Sequence, residues 1–243
     1  MAKTTPRLHL DAAFSIHAEI ALEREQGHYL INVLRHGAGD PVHVFNSTEG
    51  EWLAYITEAA KKSVRIRIEK KLSEATPPPD IDYLFAPIKH QRLDYLVQKA
   101  TELGARRLRP IITARTIAER VNIDRMRANV IEAAEQCNLV FLPEVLEPQK
   151  FDAVLKAWIP SRGLIFCDET ATISDPLQAL EGLKPPLAIC VGPEGGFTED
   201  ERNQLKSLPF VTVVKLGPRI MRADTAAVAI LALVQAVAGD WKN

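Results

Sequence analysis

The stretch PLAICVGPEGGFTEDE, residues 186–201, sets how the rest of the chain is understood. Leu187 to Val191 is an unbroken apolar run of strand length, the pattern of a strand buried on both faces. Thr198 followed by Glu201 is a capping box, in which each side chain satisfies a backbone donor at a helix start. GPEGGF therefore lies between a strand end and a helix N-terminus, where open α/β sheets bind ligands. The loop lacks the lysine of GxxxxGK[ST] and the spacing of GxGxxG. Glu194 inside it, with Glu199, Asp200 and Glu201 at the helix start, would repel a bound anion. A neutral or cationic ligand suits it better, one whose polar edges meet backbone groups that glycine leaves uncovered. A tight turn that holds nothing is the alternative.

A second loop has the same form. VTVVKLG (211–217) is a short apolar strand running into GPRIMRADT (217–225), where Asp224 or Thr225 is the candidate N-cap of an apolar final helix. Two such loops can line one pocket at the carboxyl ends of neighbouring strands. Arg219 and Arg222 flank Ile220 and Met221, so cationic heads alternate with apolar surface. The competing reading leaves both arginines solvated or capping carbonyls.

Outward from these loops, strand and helix patterns alternate back to residue 81: YLFAPI, the helix RLDYLVQKATELG with Gly104 at its end, LRPIIT, the helix IDRMRANVIEAAEQC, and GLIFCDE. This predicts an α/β domain with a mostly parallel sheet over 81–243. TAAVAILALVQAVAG is apolar on nearly every face and must be buried against the sheet or a second subunit. Three consecutive prolines make 74–80 a stiff linker. Ahead of it PVHVFN, EWLAYIT and SVRIRIE alternate like half-buried strands, with Val64, Ile66 and Ile68 on one side and Arg65 and Arg67 on the other. Together with a helix over HYLINVLRH they predict a small β-barrel domain over 1–73.

The composition, 47% hydrophobic and 25% charged over 243 residues, is that of a packed globular chain. Its N-terminus has no apolar secretory segment, and no apolar stretch is long enough to span a bilayer, so a cytoplasmic location is expected. Cys137, Cys167 and Cys190 have no CxxC spacing and are expected as buried small hydrophobes, and no histidine pair invites a metal. A formal net charge of −1 excludes a generally basic nucleic-acid binder, but charge is polarised. Residues 61–71 carry six bases against one acid, and seven arginines crowd 106–127, whereas 132–201 hold thirteen acids and four bases. Such a chain can present a local basic footprint or merely two solvated faces.

GPEGGFTEDE followed by LGPRIMRADTA, with KATELG and AAEQC upstream and HYLINVLRHGAGD near the start, resembles the RsmE family of bacterial small-subunit ribosomal RNA uridine-N3 methyltransferases. The resemblance runs almost the whole chain. It implies a PUA-like N-terminal barrel and a C-terminal SPOUT domain whose chain forms a deep trefoil knot. It implies S-adenosylmethionine as methyl donor, 16S ribosomal RNA of the assembled small subunit as substrate, and a homodimer through the SPOUT domain, with no membrane or metal. Two positions depart from the family pattern: Asp224 stands where a glutamate is usual, and Asn138 and Leu139 stand where Gly-Arg is common.

On this resemblance the cofactor lies on Gly192, Pro193, Glu194, Gly195 and Gly196 and on Leu216, Gly217, Ile220 and Met221. Arg222 is expected to stabilise the uracil anion and Asp224 to act as base or its orienter, with an N-cap as the rival role of Asp224. Arg7, Arg65, Arg67, Lys89 and Arg219 are expected on the RNA, with Lys89 equally readable as a surface lysine. The reading from another functional class is a non-catalytic RNA-binding or ribosome-assembly module.

Overall fold

The computed structural model describes residues 5–60, 63–117, 120–172 and 175–242, so Lys61 and Lys62 of the basic segment fall outside it. The chain divides into two compact units, residues 1–77 with 134–142, and residues 78–133 with 143–243. The division falls inside the proline run, but the return of 134–142 to the first unit departs from the expectation of two consecutive domains.

In the first unit, β1 (Arg7–His9), β2 (Glu19–Ala21), β3 (Pro41–Asn46), β4 (Gly50–Ala60) and β5 (Ser63–Ser73) form a five-stranded sheet in the order β1-β3-β4-β5-β2. Only β1 and β3 run parallel. Val64, Ile66 and Ile68 point into the core with Leu30, Val42, Val44 and Trp52, while Arg65 and Arg67 face outward, as alternation requires. The helical stretch is short: α1 (Arg24–His28) passes directly into one π-turn, Tyr29–Val33. Arg7 does not face solvent. Its side chain is 7% exposed, and it donates to Glu51 at 2.7 Å and to the carbonyls of Ala134 and Leu139 at 2.6 and 3.1 Å.

The second unit is built on parallel strands β6 (Ile81–Phe85), β7 (Arg107–Ile112), β8 (Glu144–Val145), β9 (Gln149–Lys150), β10 (Gly163–Cys167), β11 (Leu187–Val191) and β12 (Val211–Val214). Their order is β12-β10-β11-β6-β7-β8, with β9 on β7. The helices are α2 (His90–Glu102), α3 (Ile123–Gln136), whose residues from 134 on fall in the first unit, α4 (Phe151–Lys156), α5 (Pro176–Leu180), α6 (Glu199–Lys206) and α7 (Ala223–Ala238). All five residues of β11 are buried, and β11 sits between β10 and β6 although it follows both in sequence.

Helix α7 buries Ala226, Ala227, Ile230, Leu231 and Val234. Its one buried polar side chain, Gln235, donates to the carbonyl of Leu103 at 2.7 Å, which satisfies both the amide and the end of α2. Val228, Ala229, Ala232 and Leu233 form a second stripe at helical spacing that is only half covered. At the amino ends of the strands, Asp82 is 1% exposed and lies among Arg107, Arg109 and Arg162, at 2.6, 3.2 and 3.6 Å. Asp80 binds Arg107 and Arg162 as well. Much of the expected basic footprint is thus neutralised internally. Of the cysteines, Cys190 is buried and Cys167 half-buried, but Cys137 is exposed, because α3 ends there and Asn138 turns the chain at φ 56°.

Candidate functional site

Because β12, β10 and β11 are parallel neighbours, the three loops that leave their carboxyl ends emerge side by side. They enclose a cleft of about 370 Å³, within the range of small-ligand sites. Gly192 to Gly196 form one wall, Leu216 to Arg222 apart from Pro218 the opposite wall, and Asp168 and Glu169 the end after β10. Every residue expected on the cofactor lines this cleft, as do Arg219 and Arg222.

The first loop is held from below and behind. Phe197 is 2% exposed and packs its ring on Phe151 and Phe166, with centroids 5.6 and 5.2 Å apart. A Cβ on Gly192 would stand 2.6 Å from that ring, so glycine is required there. Gly196 turns at φ +66°, and its N–H donates to the carbonyl of Pro193 at 2.8 Å. Arg115 donates to the Gly195 carbonyl at 3.0 Å. The capping box forms: Thr198 Oγ1 accepts from the Glu201 N–H, while Glu201 Oε2 accepts from the Thr198 N–H at 2.8 Å. The other oxygen of Glu201 accepts from the Ala114 N–H at 2.8 Å, so one buried carboxylate fastens the loop after β7 to the start of α6.

The second loop turns at Gly217, φ +80°, where nothing lies within 4 Å of a Cβ position, so the space glycine leaves is open. Helix α7 begins at Ala223 with Arg222 as its N-cap residue; an arginine side chain carries no acceptor and makes no cap, and the Arg222 carbonyl accepts the first helical bond, from the Ala226 N–H at 2.8 Å. Neither Asp224 nor Thr225 is the cap, which corrects that expectation. Asp224 lies inside the first turn, 17% exposed, with its carboxylate 4.0 Å from Arg92 Nε. Arg222 and Arg219 are exposed and make no hydrogen bond or ion pair among the described residues, so they cap no carbonyl.

Three groups escaped the sequence reading. Arg92, in the first turn of α2, pairs with Glu194 and approaches Asp224, so it joins the two loops. Its only sequence signal was a place just after the end of β6. Asp168 is 2% exposed; its Oδ1 accepts from the Thr170 N–H and hydroxyl at 3.0 and 2.8 Å, and its Oδ2 lies 2.6 Å from Lys206. Burial alone would raise this carboxyl, but the bonds from Lys206 and Thr170 together outweigh it and hold the group below the ordinary carboxylate range. Glu169 lies against Gly196, and its signal, an acid pair just after an apolar strand, was present in GLIFCDE. Burial pushes the Cys167 thiol up to about 12, so it is inert in the cleft.

The other expected residues lie elsewhere. Lys89 is exposed at the N-cap of α2, beside Pro193 and Glu194 but outside the cleft. In the first unit Arg65 is half-buried and Arg67 exposed, 3.4 and 4.0 Å from Glu19 and Glu69. The Arg7 side chain is buried, with Nε, Nη1 and Nη2 all donating inside its own unit.

A model of an RNA methyltransferase domain matches residues 75–235, and a model of an RNA methyltransferase PUA domain matches residues 22–69. The ribosomal RNA small subunit methyltransferase E of Synechocystis is 30% identical over 91% of this chain and 74% of its own. That of Rickettsia conorii is 29% identical over 94% of each. Among solved structures, a putative methyltransferase from Legionella pneumophila in complex with the bound cofactor SAM has a TM-score of 0.84 at 28% identity, covering 98% of this chain and 99% of its own. A ribosomal RNA small subunit methyltransferase E from Neisseria gonorrhoeae bound to S-adenosyl methionine has a TM-score of 0.83 at 26% identity, covering 98% and 100%. With a family model over residues 75–235 and relatives matched over more than nine tenths of the chain, the protein belongs to the RNA methyltransferase family of small subunit methyltransferase E, the RsmE family.

Proposed function

We propose that this protein methylates N3 of one uridine in 16S ribosomal RNA of the small subunit, using S-adenosylmethionine held in the cleft between the two glycine loops. The observation that carries the reading is the cleft itself: glycine backbone along one wall, an open backbone at Gly217, acids at Glu194, Asp168 and Glu169, and on the facing wall two arginines that have no partner among the described residues. These groups fit the cofactor. Carboxylates suit a cation and sugar hydroxyls, and bare amides and carbonyls suit the edges of a base. The bound cofactor supplies a methyl group on a sulfonium. Gly192 to Gly196 with Leu216, Gly217, Ile220 and Met221 hold it, and Glu194 faces the cation.

Uracil N3 keeps its proton at neutral pH, so the protein must remove it and stabilise the resulting anion. Asp224, which caps no helix and lies beside the cationic Arg92, is the acceptor of that proton or the group that orients it. Arg222, whose side chain has no partner among the described residues, faces the uracil oxygens on which the charge settles. The base leaves its neighbours to reach the cleft, while Arg219, Lys89, Arg65 and Arg67 meet phosphates; Arg7 is left out of this set. A deep trefoil knot belongs to the same reading and is supported by the late strand β11 lying between β10 and β6. So does a homodimer through the second unit, supported by the half-covered stripe of Val228, Ala229, Ala232 and Leu233 on α7. The test is transfer of a tritiated methyl group to small subunits from a strain lacking this gene, with the product nucleoside identified. Incorporation as N3-methyluridine supports the reading, and no incorporation beside a measured cofactor affinity supports a non-catalytic module instead.

A further inference from the structure

A second cavity in the same unit, about 610 Å³, opens between α2 and the start of α3 and shares no lining residue with the cofactor cleft. Its apolar surface comes from Ile88, Leu93, Val121 and Met126. Two exposed cations, Lys89 and Arg120, stand on it with no ion pair among the described residues. A third, Arg125, is held flat: Asp94 accepts from its Nε and Nη2 at 2.8 and 2.5 Å, and Asn129 donates to the same Asp94 at 2.8 Å. Asn122 is oriented as well, because its Oδ1 accepts from the Arg125 N–H at 3.0 Å, which leaves its amide N–H groups free to donate. A small depression lined by Ile88, Lys89 and Ile117 of this cavity continues to Pro193 and Glu194 on the wall of the cofactor cleft.

We infer that this cavity receives the base of a nucleotide flanking the target uridine. The inference rests on the RNA methyltransferase reading and adds a subsite to it. An apolar floor with a fixed guanidinium plane is a stacking surface for an unpaired base. The free amide of Asn122 reads an acceptor on the base edge, and Lys89 and Arg120 take the phosphates on either side. The target base cannot be the occupant, because no residue of this cavity lines the methyl-donor cleft. A base here with its neighbour in the cleft would lay the RNA backbone over the ridge of Pro193 and Glu194. The surplus of positive charge, three cations against Asp94, favours RNA over a neutral peptide.

The test uses the full chain and unmethylated small subunits. Val121→Trp fills the cavity without changing charge, and Arg120→Ala removes a cation of this cavity without filling it. Both variants are expected to raise KM for the subunit about tenfold, with kcat within about twofold and S-adenosylmethionine affinity unchanged by calorimetry. Unchanged KM in Arg120→Ala overturns the inference even if Val121→Trp is poorly folded. A photo-reactive side chain at position 121 should cross-link to rRNA within a few nucleotides of the methylated uridine. A cross-link to a ribosomal protein, or to distant rRNA, overturns it while leaving the methyltransferase reading intact. Absence of methyl transfer by the unaltered protein would overturn both.

Discussion

Replacing Gly192 by alanine is a sharp test of how the first loop is held. The added Cβ would lie 2.6 Å from Cε2 and 2.8 Å from Cδ2 of Phe197. That ring has little room to withdraw, since it is 2% exposed and wedged between Phe151 and Phe166. Overpacking of this kind costs about 1–3 kcal/mol, which for a chain of this size is a fall in Tm of about 2–12 °C. The strain is shared with the loop backbone, so cofactor affinity falls with stability. Gly195→Ala is the control: its Cβ would meet Arg115 at 3.6 Å, an ordinary contact, and its stability should stay within about 0.5 kcal/mol of the unaltered chain. Adding Phe197→Leu to Gly192→Ala relieves the clash, so the double variant should lose less stability than the sum of the single ones. Thermal melts and calorimetry with S-adenosylmethionine read both effects. A Gly192→Ala protein that melts and binds like the parent, or a Gly195→Ala protein that loses as much stability, would refute the packing argument.

Arg222→Ala should lower methyl transfer by about 100- to 1000-fold while cofactor binding is largely kept; unchanged turnover in a tritiated-methyl assay removes Arg222 from the chemistry. Asp224→Asn should lower the rate by at least about 100-fold with little loss of Tm, because Asp224 caps no helix, whereas a fall in Tm with the rate preserved would restore a purely structural role. The depressed carboxyl of Asp168 makes a pH prediction. Its contribution is complete above the ordinary value of 3.8 and is withdrawn as pH falls below it through the lower folded value, because there the unfolded chain binds the proton first. Lys206→Ala removes the principal opposing partner, so acid unfolding followed by circular dichroism should begin at higher pH than in the parent; coincident acid transitions would contradict the pairing.

The elements that show in the sequence are those with a local cause. The buried run of β11, the capping box of Thr198 and Glu201 and the alternation of β5 are each written within a dozen residues, and each forms. What the sequence hid depends on partners far along the chain. The arginines of 106–127 resembled a nucleic-acid footprint, yet Arg107 and Arg109 answer Asp80 and Asp82, and Arg125 answers Asp94. Arg7 is spent on Glu51 and on carbonyls beyond residue 130. Helices α4 and α5, six and five residues long, are too short for a 3.6-residue period to declare itself. Helix α7 starts two or three residues earlier than the polar signals of Asp224 and Thr225 suggested, because an arginine with no capping side chain occupies the N-cap. Apart from its place after β6, nothing in the sequence marks Arg92: its importance is that it touches both loops, and contact across a fold is not a local property.

The central claim, that the cleft between the two glycine loops serves methylation of a small-subunit rRNA uridine, is tested most directly by mass spectrometry of 16S rRNA from a strain lacking this gene. The rRNA is measured before and after its small subunits are incubated with the purified protein and S-adenosylmethionine. The account predicts that one uridine, unmodified beforehand, gains a single methyl group at N3, and that Arg222→Ala protein fails to add it. A methyl group on another base, on a ribose oxygen, or on no nucleotide at all would contradict it.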